Sequence, residues 1–349
     1  MQLFQHSLSD GEIKVKVATL KALAAFLTMF EDEDDVLKYK HMMGPLIDLV
    51  ISVLQNSEEE GKTALQSLIE LTQSYPAVWE ETCAKLIYVC SDVMKTASFD
   101  ASTRQTALEL VSTLGDQSAK MLRSQTDALK QHFFPAIFIM LTEVENNVAD
   151  WAERMEEELH GDKDSVDSIA ADALERLSEQ LGEKTITQCC MHMIIEGAGN
   201  SAWQYRQAAF VFLGMIAESC EKFFQKNFTD AVQLVSKGIV DEECRVRYQA
   251  LMALGLILNV ASPMIQNKYH QDLMPMFLKM INDEQMVKLK AQTVSCTINF
   301  VKGLIEEGED EEDEKKKKHA QILDPYIQPL VKAIQDMLDL GIKANYAPL

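Results

Sequence analysis

The residues best suited to bind a metal or act as nucleophiles come closest together at Cys189-Cys190-Met-His192. Thiolates and imidazoles are ligands of Zn²⁺, which takes four of them in a tetrahedron. Adjacent cysteines on a helix point about 100° apart, and no second half-site exists, so we expect no metal site. The seven cysteines contain no Cys-x-x-Cys pair, which favours free, buried thiols in a reducing compartment.

Other patterns that carry catalysis are missing from the sequence. Gly197-Ala-Gly199 lacks the third glycine and the preceding strand that a dinucleotide-binding loop requires. The remaining histidines occur singly, without a nucleophile or acid at a spacing that suggests a catalytic group. We therefore name no catalytic residue and expect a protein that is not an enzyme and needs no cofactor.

Carboxylates are the remaining side chains that could bind a ligand. They are concentrated in three segments, 31–35, 143–167 and 306–314. These hold 5, 10 and 8 acidic residues, and they account for the net charge of −21, because the rest of the chain has 31 acids and 31 bases. Nucleic acids and anionic membranes require a positive surface. The charge therefore predicts a basic protein partner, no nucleic acid and no membrane.

Each acidic segment has two interpretations. Dense like charge destabilises a helix, so all three are predicted to be loops, either merely solvated and disordered or able to bind a basic ligand. Asp150-Trp151 in the middle segment pairs a carboxylate with a ring that can grip Lys or Arg by cation–π contact. Trp151 is equally well explained as a hydrophobic plug that pins the segment. The basic run 315–318 is either a nuclear-localisation signal or a partner for the acids before it.

Amino-acid composition limits the kinds of secondary structure that can carry the acidic segments. Glycine and proline number only 14 and 8 of 349 residues, and 47% of the residues are hydrophobic, which argues against turn-rich β folds and against general disorder. The longest apolar run, 250–258, is too short to span a membrane. The N-terminus lacks the pattern of a signal peptide. We expect a soluble intracellular protein.

A repeat of about 40–47 residues organises the chain. Its clearest copies are Arg104-Gln-Thr-Ala-Leu-Glu-Leu-Val, Arg206-Gln-Ala-Ala-Phe-Val-Phe-Leu and Arg247-Tyr-Gln-Ala-Leu-Met-Ala-Leu. Each copy is followed by a second stretch with apolar residues at helical spacing. The apolar anchor of successive copies falls at Leu20, Leu65, Leu108, Leu174, Phe210, Leu251 and Val294.

The pattern predicts an all-α protein of seven helix pairs, stacked into a HEAT-repeat α-solenoid because one pair cannot cover its own apolar face. A basic residue four positions before the anchor matches the arginine of HEAT repeats in five copies, at Lys16, Arg104, Arg206, Arg247 and Lys290. We expect one array over 1–349, with pairs at 8–56, 57–97, 99–142, 164–199, 201–240, 241–282 and 283–342. The acidic insertion at 143–167 and an acidic and basic loop at 306–319 interrupt it.

The sequence resembles the importin-beta superfamily of nuclear transport receptors, closest to the importin-5 class. The resemblance extends from about residue 10 to 340 and rests on several motifs in the same order. These are Arg104-Gln-Thr-Ala-Leu-Glu-Leu-Val, Met121-Leu-Arg, Asp150-Trp151, Ala173-Leu-Glu-Arg-Leu177, Trp203-Gln-Tyr-Arg206, Arg245-Val-Arg-Tyr248, Ile298-Asn-Phe300 and Leu323-Asp-Pro-Tyr326.

The resemblance implies a right-handed superhelix whose second helices line a concave face. It also implies a nuclear import receptor that binds basic cargo signals there, contacts Phe-Gly nucleoporins, responds to the Ran GTPase and shuttles between cytoplasm and nucleus. We expect the cargo-binding acids in the insertion and at the ends of second helices, where the alternative for each turn acid is a helix N-cap. The expected set is Asp150, Trp151, Glu153, Glu156, Glu157, Glu158, Glu196, Asp241, Glu242, Asp283 and Glu284.

This chain departs from the family in length. Family members are much longer, and their Ran-binding first repeats precede the region matched here, so we expect a middle segment and infer no Ran-dependent release from it. The alternative is a HEAT-repeat paralogue that serves as a structural scaffold or interaction subunit in a large assembly.

Overall fold

The computed structural model describes residues 2–153, 165–305 and 313–344, and these contain helices but no β-strand. The all-α prediction is therefore confirmed for the described residues. The chain forms two compact units, one of residues 1–143 with 164–191 and one of residues 144–163 with 192–349. No described helix has both the length and the hydropathy needed to span a bilayer.

The first unit contains three of the expected pairs and most of a fourth, up to residue 191. Its helices are α1 (Gln2–Leu8), α2 (Ile13–Thr28), α3 (Glu33–Leu37), α4 (Met43–Asn56), α5 (Glu58–Ser74), α6 (Cys83–Lys95), α7 (Ala101–Ser124), α8 (Thr126–Ala128) and α9 (Phe134–Met140). First helices α2, α5 and α7 pack on one another in sequence, and second helices α4 and α6 do the same. This alternation buries the apolar stripe of each helix against two neighbours, as a stacked repeat requires.

Helix α11 (Val166–Ala198) is one hydrogen-bonded run interrupted at Gly182. Gly182 has φ +75° and ψ 163°, a backbone conformation that residues with a Cβ avoid. The glycine therefore separates the two helices of the fourth pair without an intervening loop. The part of α11 up to Met191 lies in the first unit, where the Arg176 guanidinium lies 2.8 Å from a carboxylate oxygen of Glu109 on α7.

The second unit contains the short helix α10 of the insertion and three helix pairs. Its helices are α10 (Val148–Glu153), α12 (Trp203–Met215), α13 (Glu221–Ile239), α14 (Cys244–Val260), α15 (Met264–Asp283), α16 (Val287–Ile305) and α17 (Asp313–Ala344). First helices α12, α14 and α16 stack on one another, as do second helices α13, α15 and α17. Small residues at the stacking line, Ala209 and Ala250, are fully buried, so neighbouring helices approach closely.

The acidic segments are not loops throughout, and that prediction is wrong in part. Helix α3 begins inside 31–35, with Asp32 accepting a hydrogen bond of 3.0 Å from the Asp34 amide. Helix α10 lies inside 143–167. Helix α17 begins at Asp313 and includes 315–318. Carboxylates in a first turn are favoured by the helix dipole, and in α17 acids precede lysines by four positions, which also favours helix.

Candidate functional site

The arginines at the HEAT position of the second unit bind the acidic turn that opens the next pair. The Arg206 guanidinium donates from Nε to Asp241 Oδ2 (2.7 Å) and from Nη2 to Asp241 Oδ1 (2.8 Å). Arg247 donates to Glu284 Oε2 (3.3 Å) and to the carbonyl of Asp241 (3.0 Å). These interactions tie each first helix to the following repeat, so the arginines serve stacking.

The same arrangement occurs in the first unit. Arg104, only 3% exposed, donates from Nε to the carbonyl of Met94 (2.7 Å) and from Nη1 to Glu143 Oε2 (2.8 Å). Arg104 and Glu143 are 39 residues apart, about one repeat. Glu143, the first residue of the predicted insertion, therefore belongs to the stacking contacts of the first unit.

Burial and hydrogen bonding shift the pKa of the Asp241 carboxyl in opposite directions. Burial alone would raise the pKa of the Asp241 carboxyl, but hydrogen bonds from the Arg206 side chain and the Glu243 amide hold that pKa below its ordinary value. The bond to Asp241 in turn raises the pKa of Arg206. Since both shifts favour the charged forms, the pair is ionised in the folded protein at neutral pH.

Of the two predicted cargo-binding acids at each of these turns, one is held by an arginine and the other is exposed. At the first turn the Asp241 side chain is 12% exposed, whereas that of Glu242 is 90% exposed. At the next turn Glu284 is bound by Arg247 and Asp283 is exposed. Of the four predicted cargo-binding acids at these turns, Asp241 and Glu284 thus have stacking partners. Glu242 and Asp283 remain exposed, with Glu242 Oε1 3.6 Å from Nη2 of Arg206.

Glu196 lies one boundary earlier, near the end of α11. Its side chain is 70% exposed, and Oε2 lies 3.2 Å from Nδ1 of His192 one helical turn before it. Glu196, Glu242 and Asp283 therefore form a series of exposed carboxylates in the second unit, one at each successive repeat boundary. We call these three residues the turn acids.

The insertion folds onto the second unit through Trp151. The Trp151 side chain is 7% exposed and meets the ring of Tyr248 edge-on, with centroids 5.5 Å apart. The Lys288 ammonium lies 4.6 Å from the Trp151 ring centroid and donates to the Trp151 carbonyl (2.9 Å). The ring predicted either to grip a cargo cation or to pin the segment is thus buried against a cation of its own chain, which corresponds to the second alternative.

Asp150 remains exposed beside this buried ring. Its Oδ2 accepts a hydrogen bond of 2.7 Å from the Asn147 amide group, which also caps α10 by accepting from the Ala149 backbone. The other acids predicted in the insertion give no structural result: the side chain of Glu153 and all of Glu156, Glu157 and Glu158 lie outside the described residues.

Sequence reasoning did not assign roles to Arg245 and Lys288, the two cations that receive the insertion. Both are almost fully buried, 4% and 8% exposed. The Arg245 guanidinium stacks 3.6 Å over the ring of Trp203, donates to Glu243 Oε1 (2.8 Å) and donates to the carbonyl of Glu145. The available signal was Arg245 in a motif with Arg247, but the sequence does not say that their side chains point to different partners.

The second helices α13 and α15 carry charges of both signs. Asp230 and Asp272 are exposed on them, and so are Lys226, Lys237 and Lys268. Lys268 donates to Thr229 Oγ1 (2.8 Å) and lies 5.1 Å from the ring centroid of Phe228. The excess of negative charge is therefore found at the turns and in the insertion, and not along these two helices.

The cysteines give no sign of chemistry within the described residues. All seven are free thiols, and all but Cys244 are buried. Burial raises the pKa of Cys83 and Cys90 to about 12, and that of Cys189 to about 11, so these groups are thiols and not thiolates near neutral pH. Among the residues that the structure describes, no cluster of three or more Cys, His, Asp and Glu residues is placed to hold a metal ion.

Comparison with known proteins identifies two family models in the chain. The model "IPO5-like, TPR repeats" matches residues 1–89, and the model "Importin repeat" matches residues 95–188. Importin subunit beta-3 of Saccharomyces cerevisiae is 24% identical over 306 residues, which are 86% of this chain and 28% of that protein. Probable importin subunit beta-4 of Schizosaccharomyces pombe is 24% identical over 143 residues, 41% of this chain and 13% of that protein.

Solved structures agree on the fold. The crystal structure of Kap121p matches with a TM-score of 0.84 and 21% identity, over 96% of this chain and 31% of that chain. The HEAT-repeat α-solenoid predicted from the repeat is thereby confirmed. This chain spans about three tenths of the length of importin subunit beta-3 and of Kap121p.

Proposed function

This chain belongs to the importin-beta superfamily of karyopherins, and on that premise we propose that it is a non-catalytic segment of a nuclear import receptor that binds basic cargo signals. Kap121p, similar in fold, has been solved bound to RanGTP, to Nup53p and to Pho4p. By the same proposal the whole receptor binds protein cargo, Ran and nucleoporins, and it shuttles between cytoplasm and nucleus.

The observation that carries the proposal is that some acids at the turns of the second unit are bound by arginines while their neighbours are exposed. Asp241 and Glu284 are neutralised by arginines of the preceding repeats, whereas the turn acids stay exposed. A ligand lying across successive turns therefore meets one exposed carboxylate per repeat, although Glu242 also lies 3.6 Å from Arg206 Nη2 and Glu196 lies 3.2 Å from His192 Nδ1. Such a series suits a peptide with several Lys or Arg residues, because exposed ion pairs are individually weak and act in numbers.

Acidic residues of the insertion extend the proposed site. Asp150 is exposed on α10, and Glu153, Glu156, Glu157 and Glu158 follow it in the sequence. We include these five acids with the turn acids in the proposed cargo-binding set. Trp151 enters the set as the residue that holds the insertion, because its ring is buried.

Acids on the second helices are a further part of the proposal. Three acidic residues replaced by lysine in one mutant of Kap121p are 43 and 42 residues apart, which is one repeat. Asp230 and Asp272 are 42 residues apart, are exposed, and lie on neighbouring second helices α13 and α15. We therefore add them to the proposed set, although the lysines of these helices reduce the local negative potential.

The test is a charge reversal of the three turn acids, Glu196→Lys, Glu242→Lys and Asp283→Lys together. Binding of a fluorescein-labelled oligolysine peptide is measured by anisotropy at several salt concentrations. The wild-type affinity is expected to fall steeply with salt, because exposed charges are screened over about 8–10 Å at physiological ionic strength. The variant is expected to bind roughly tenfold more weakly, since three exposed pairs at about 0.5 kcal/mol each total about one decade in affinity.

A matched control reverses three exposed acids away from the turns between pairs, Glu70, Glu179 and Glu218. It changes the net charge by the same amount, so an equal loss in both variants would show that the peptide responds to overall charge. That result, or no binding of the peptide to folded wild type at low salt, would refute the proposed site.

A further inference from the structure

Two aromatic side chains on neighbouring second helices of the second unit meet edge to face. Phe228 lies on α13 and Tyr269 on α15, and their ring centroids are 6.4 Å apart. Both residues are half-buried, which leaves part of the pair exposed. Because the face of an aromatic ring attracts positive charge, two rings placed in this way can hold one ammonium or guanidinium group. We call Phe228 and Tyr269 the ring pair.

The chain itself places a cation on the ring pair. The Lys268 ammonium lies 5.1 Å from the ring centroid of Phe228 and 5.2 Å from that of Tyr269, and it donates to Thr229 Oγ1 at 2.8 Å. Aromatic faces and a hydroxyl acceptor are groups that bind a lysine or arginine side chain equally well when it comes from another molecule. The ring pair is therefore a cation site that a lysine of the same chain occupies.

Lys268 is held loosely in comparison with the other lysine that contacts two rings. Lys288 is 8% exposed, lies against the rings of Trp151 and Tyr248 and donates to a backbone carbonyl, whereas Lys268 is exposed. An exposed cation interacts with a ring more weakly than a desolvated one, and keeping a long side chain in one rotamer costs conformational entropy. A cation that arrives with a ligand can therefore displace Lys268 from the ring pair.

Exposed carboxylates lie near the ring pair along both helices. Asp230 follows the first ring by two residues on α13, and Asp272 follows the second by three residues on α15. These carboxylates attract cations to this surface, and the exposed lysines Lys226 and Lys268 oppose them. The surface thus combines rings and acids that favour a basic ligand with a lysine that already takes the place of one ligand cation.

We propose that the ring pair is a subsite for one lysine or arginine side chain of a basic ligand, and that Lys268 is an internal competitor that the ligand must displace. The inference rests on the proposed function for its ligand class. It goes beyond that function by naming the groups that bind one cation and the residue that limits affinity there. Lys268 opposes the ligand in two ways, because it covers the rings and because it adds a positive charge. Repulsion between exposed charges is screened by salt, whereas a short-range contact is screened much less.

The first test removes Lys268 and leaves the rings open. Lys268→Ala is expected to bind the fluorescein-labelled oligolysine peptide roughly threefold to tenfold more tightly than wild type. Lys226→Ala is the matched control, because it removes the same charge from an exposed lysine of α13 that makes no ring contact among the described residues. Its gain should be smaller and should vanish at the highest salt at which wild type still binds, where the Lys268→Ala gain persists. Equal gains in both variants at every salt concentration would overturn the subsite.

The rings give a second test through their coupling to Lys268. In the Lys268→Ala background, Phe228→Leu or Tyr269→Leu should abolish most of the gain, because the ligand cation loses a ring that it could reach. In the wild-type background the same changes should alter affinity by less than about twofold, since Lys268 covers the rings there. Thermal unfolding shows which variants fold, and either ring change suffices for the comparison. Equal effects of a ring change in both backgrounds would contradict competition.

Displacement of Lys268 can also be observed directly. After reductive methylation with isotope-labelled formaldehyde, the dimethyl-lysine signal of Lys268 is assigned by its loss in Lys268→Ala. Ring currents should shift this signal upfield, and saturating peptide should return it to the position of exposed lysines. A signal without the upfield shift, or one that keeps it in the peptide complex, would overturn the competitor role.

The two proposals fail in distinguishable ways. If the turn-acid variant loses affinity but Lys268→Ala gains no more than Lys226→Ala, cargo binding stands and the subsite is refuted. If wild type does not bind the peptide but Lys268→Ala does, and the binding requires the rings, the site at the turns fails and the subsite stands. Absence of binding to both proteins at low salt would refute both proposals.

Discussion

Arg206 and Asp241 form a two-pronged ion pair across a repeat boundary, with Nε–Oδ2 and Nη2–Oδ1 separations of 2.7 and 2.8 Å. The side chains are 13% and 12% exposed. Arg206 also donates to the carbonyls of Asn200 and Ser201, at 3.1 and 2.9 Å. One guanidinium thus joins the end of one pair, the start of its own helix and the turn of the next pair.

Removing either partner of this pair is expected to destabilise the second unit. Arg206→Ala leaves the Asp241 carboxylate half-buried without its cation, and Asp241→Ala does the reverse, so each should cost about 2–3 kcal/mol. The double variant should cost less than the sum of the single variants, because the second change removes a group that has already lost its partner. Urea unfolding, followed by tryptophan fluorescence, measures all four proteins. Additive losses would contradict a coupled pair.

The Asp241 carboxyl should also make stability depend on pH. Its pKa lies below the ordinary value in the folded state, so the folded chain binds fewer protons there than the unfolded chain. The stabilisation is therefore present above the unfolded pKa of about 3.9 and is lost as pH falls through the lower folded pKa. The difference in unfolding free energy between wild type and Asp241→Asn should be largest near neutral pH and shrink in acid. A difference in unfolding free energy that stays constant from neutral to acidic pH would contradict the lowered pKa of Asp241.

Arg247 offers a test of the repeat assignment. Its guanidinium donates to the carbonyls of Asp241 and Glu242, at 3.0 and 3.1 Å, and to the Glu284 carboxylate. Arg247→Glu removes these bonds and sets a second carboxylate beside Glu284, so we expect a loss of about 1–3 kcal/mol in the free energy of unfolding. Arg123→Glu, at an exposed arginine, is the control and should change it by less than about 0.5 kcal/mol. Equal effects would argue against a stacking role for Arg247.

Gly238 marks a close approach between neighbouring helices. A Cβ added there would collide with the ring of Phe210 and lie 2.7 Å from Cβ of Ala250. Gly238→Ala should destabilise by about 1–3 kcal/mol through overpacking, despite the better helix propensity of alanine. At Gly44, also in a helix, the nearest atom would be Cγ2 of Thr82 at 3.8 Å. Gly44→Ala should therefore be neutral or slightly stabilising. The midpoint of thermal unfolding, measured for both variants and wild type, tests this difference.

Some of the structure could be predicted because it depends on local pattern. Apolar residues at helical spacing and the recurring Arg or Lys before an apolar anchor are properties of short stretches, and they predicted the helix pairs and the HEAT class. The prediction of loops from charge density was wrong for α3, α10 and the start of α17. There the helix dipole and the spacing of acids and lysines outweighed repulsion between like charges.

The exposure of the candidate site residues could not be predicted, because it depends on contacts between residues far apart in the sequence. Asp241 and Glu242 are chemically alike neighbours in the sequence, and only the stacking of the next pair buries the first against Arg206 at 2.7 Å. Glu242 lies 3.6 Å from the same guanidinium and stays 90% exposed. The two interpretations of Trp151 were equally consistent with its neighbours, because the residues that decide between them, Tyr248 and Lys288, lie 97 and 137 positions further along the chain. The sequence by itself thus determined the repeat and the sign of the charge, which are local sums. The tertiary structure alone decided which carboxylates are buried against an arginine and which remain exposed, because burial requires a partner that folding brings within hydrogen-bond distance.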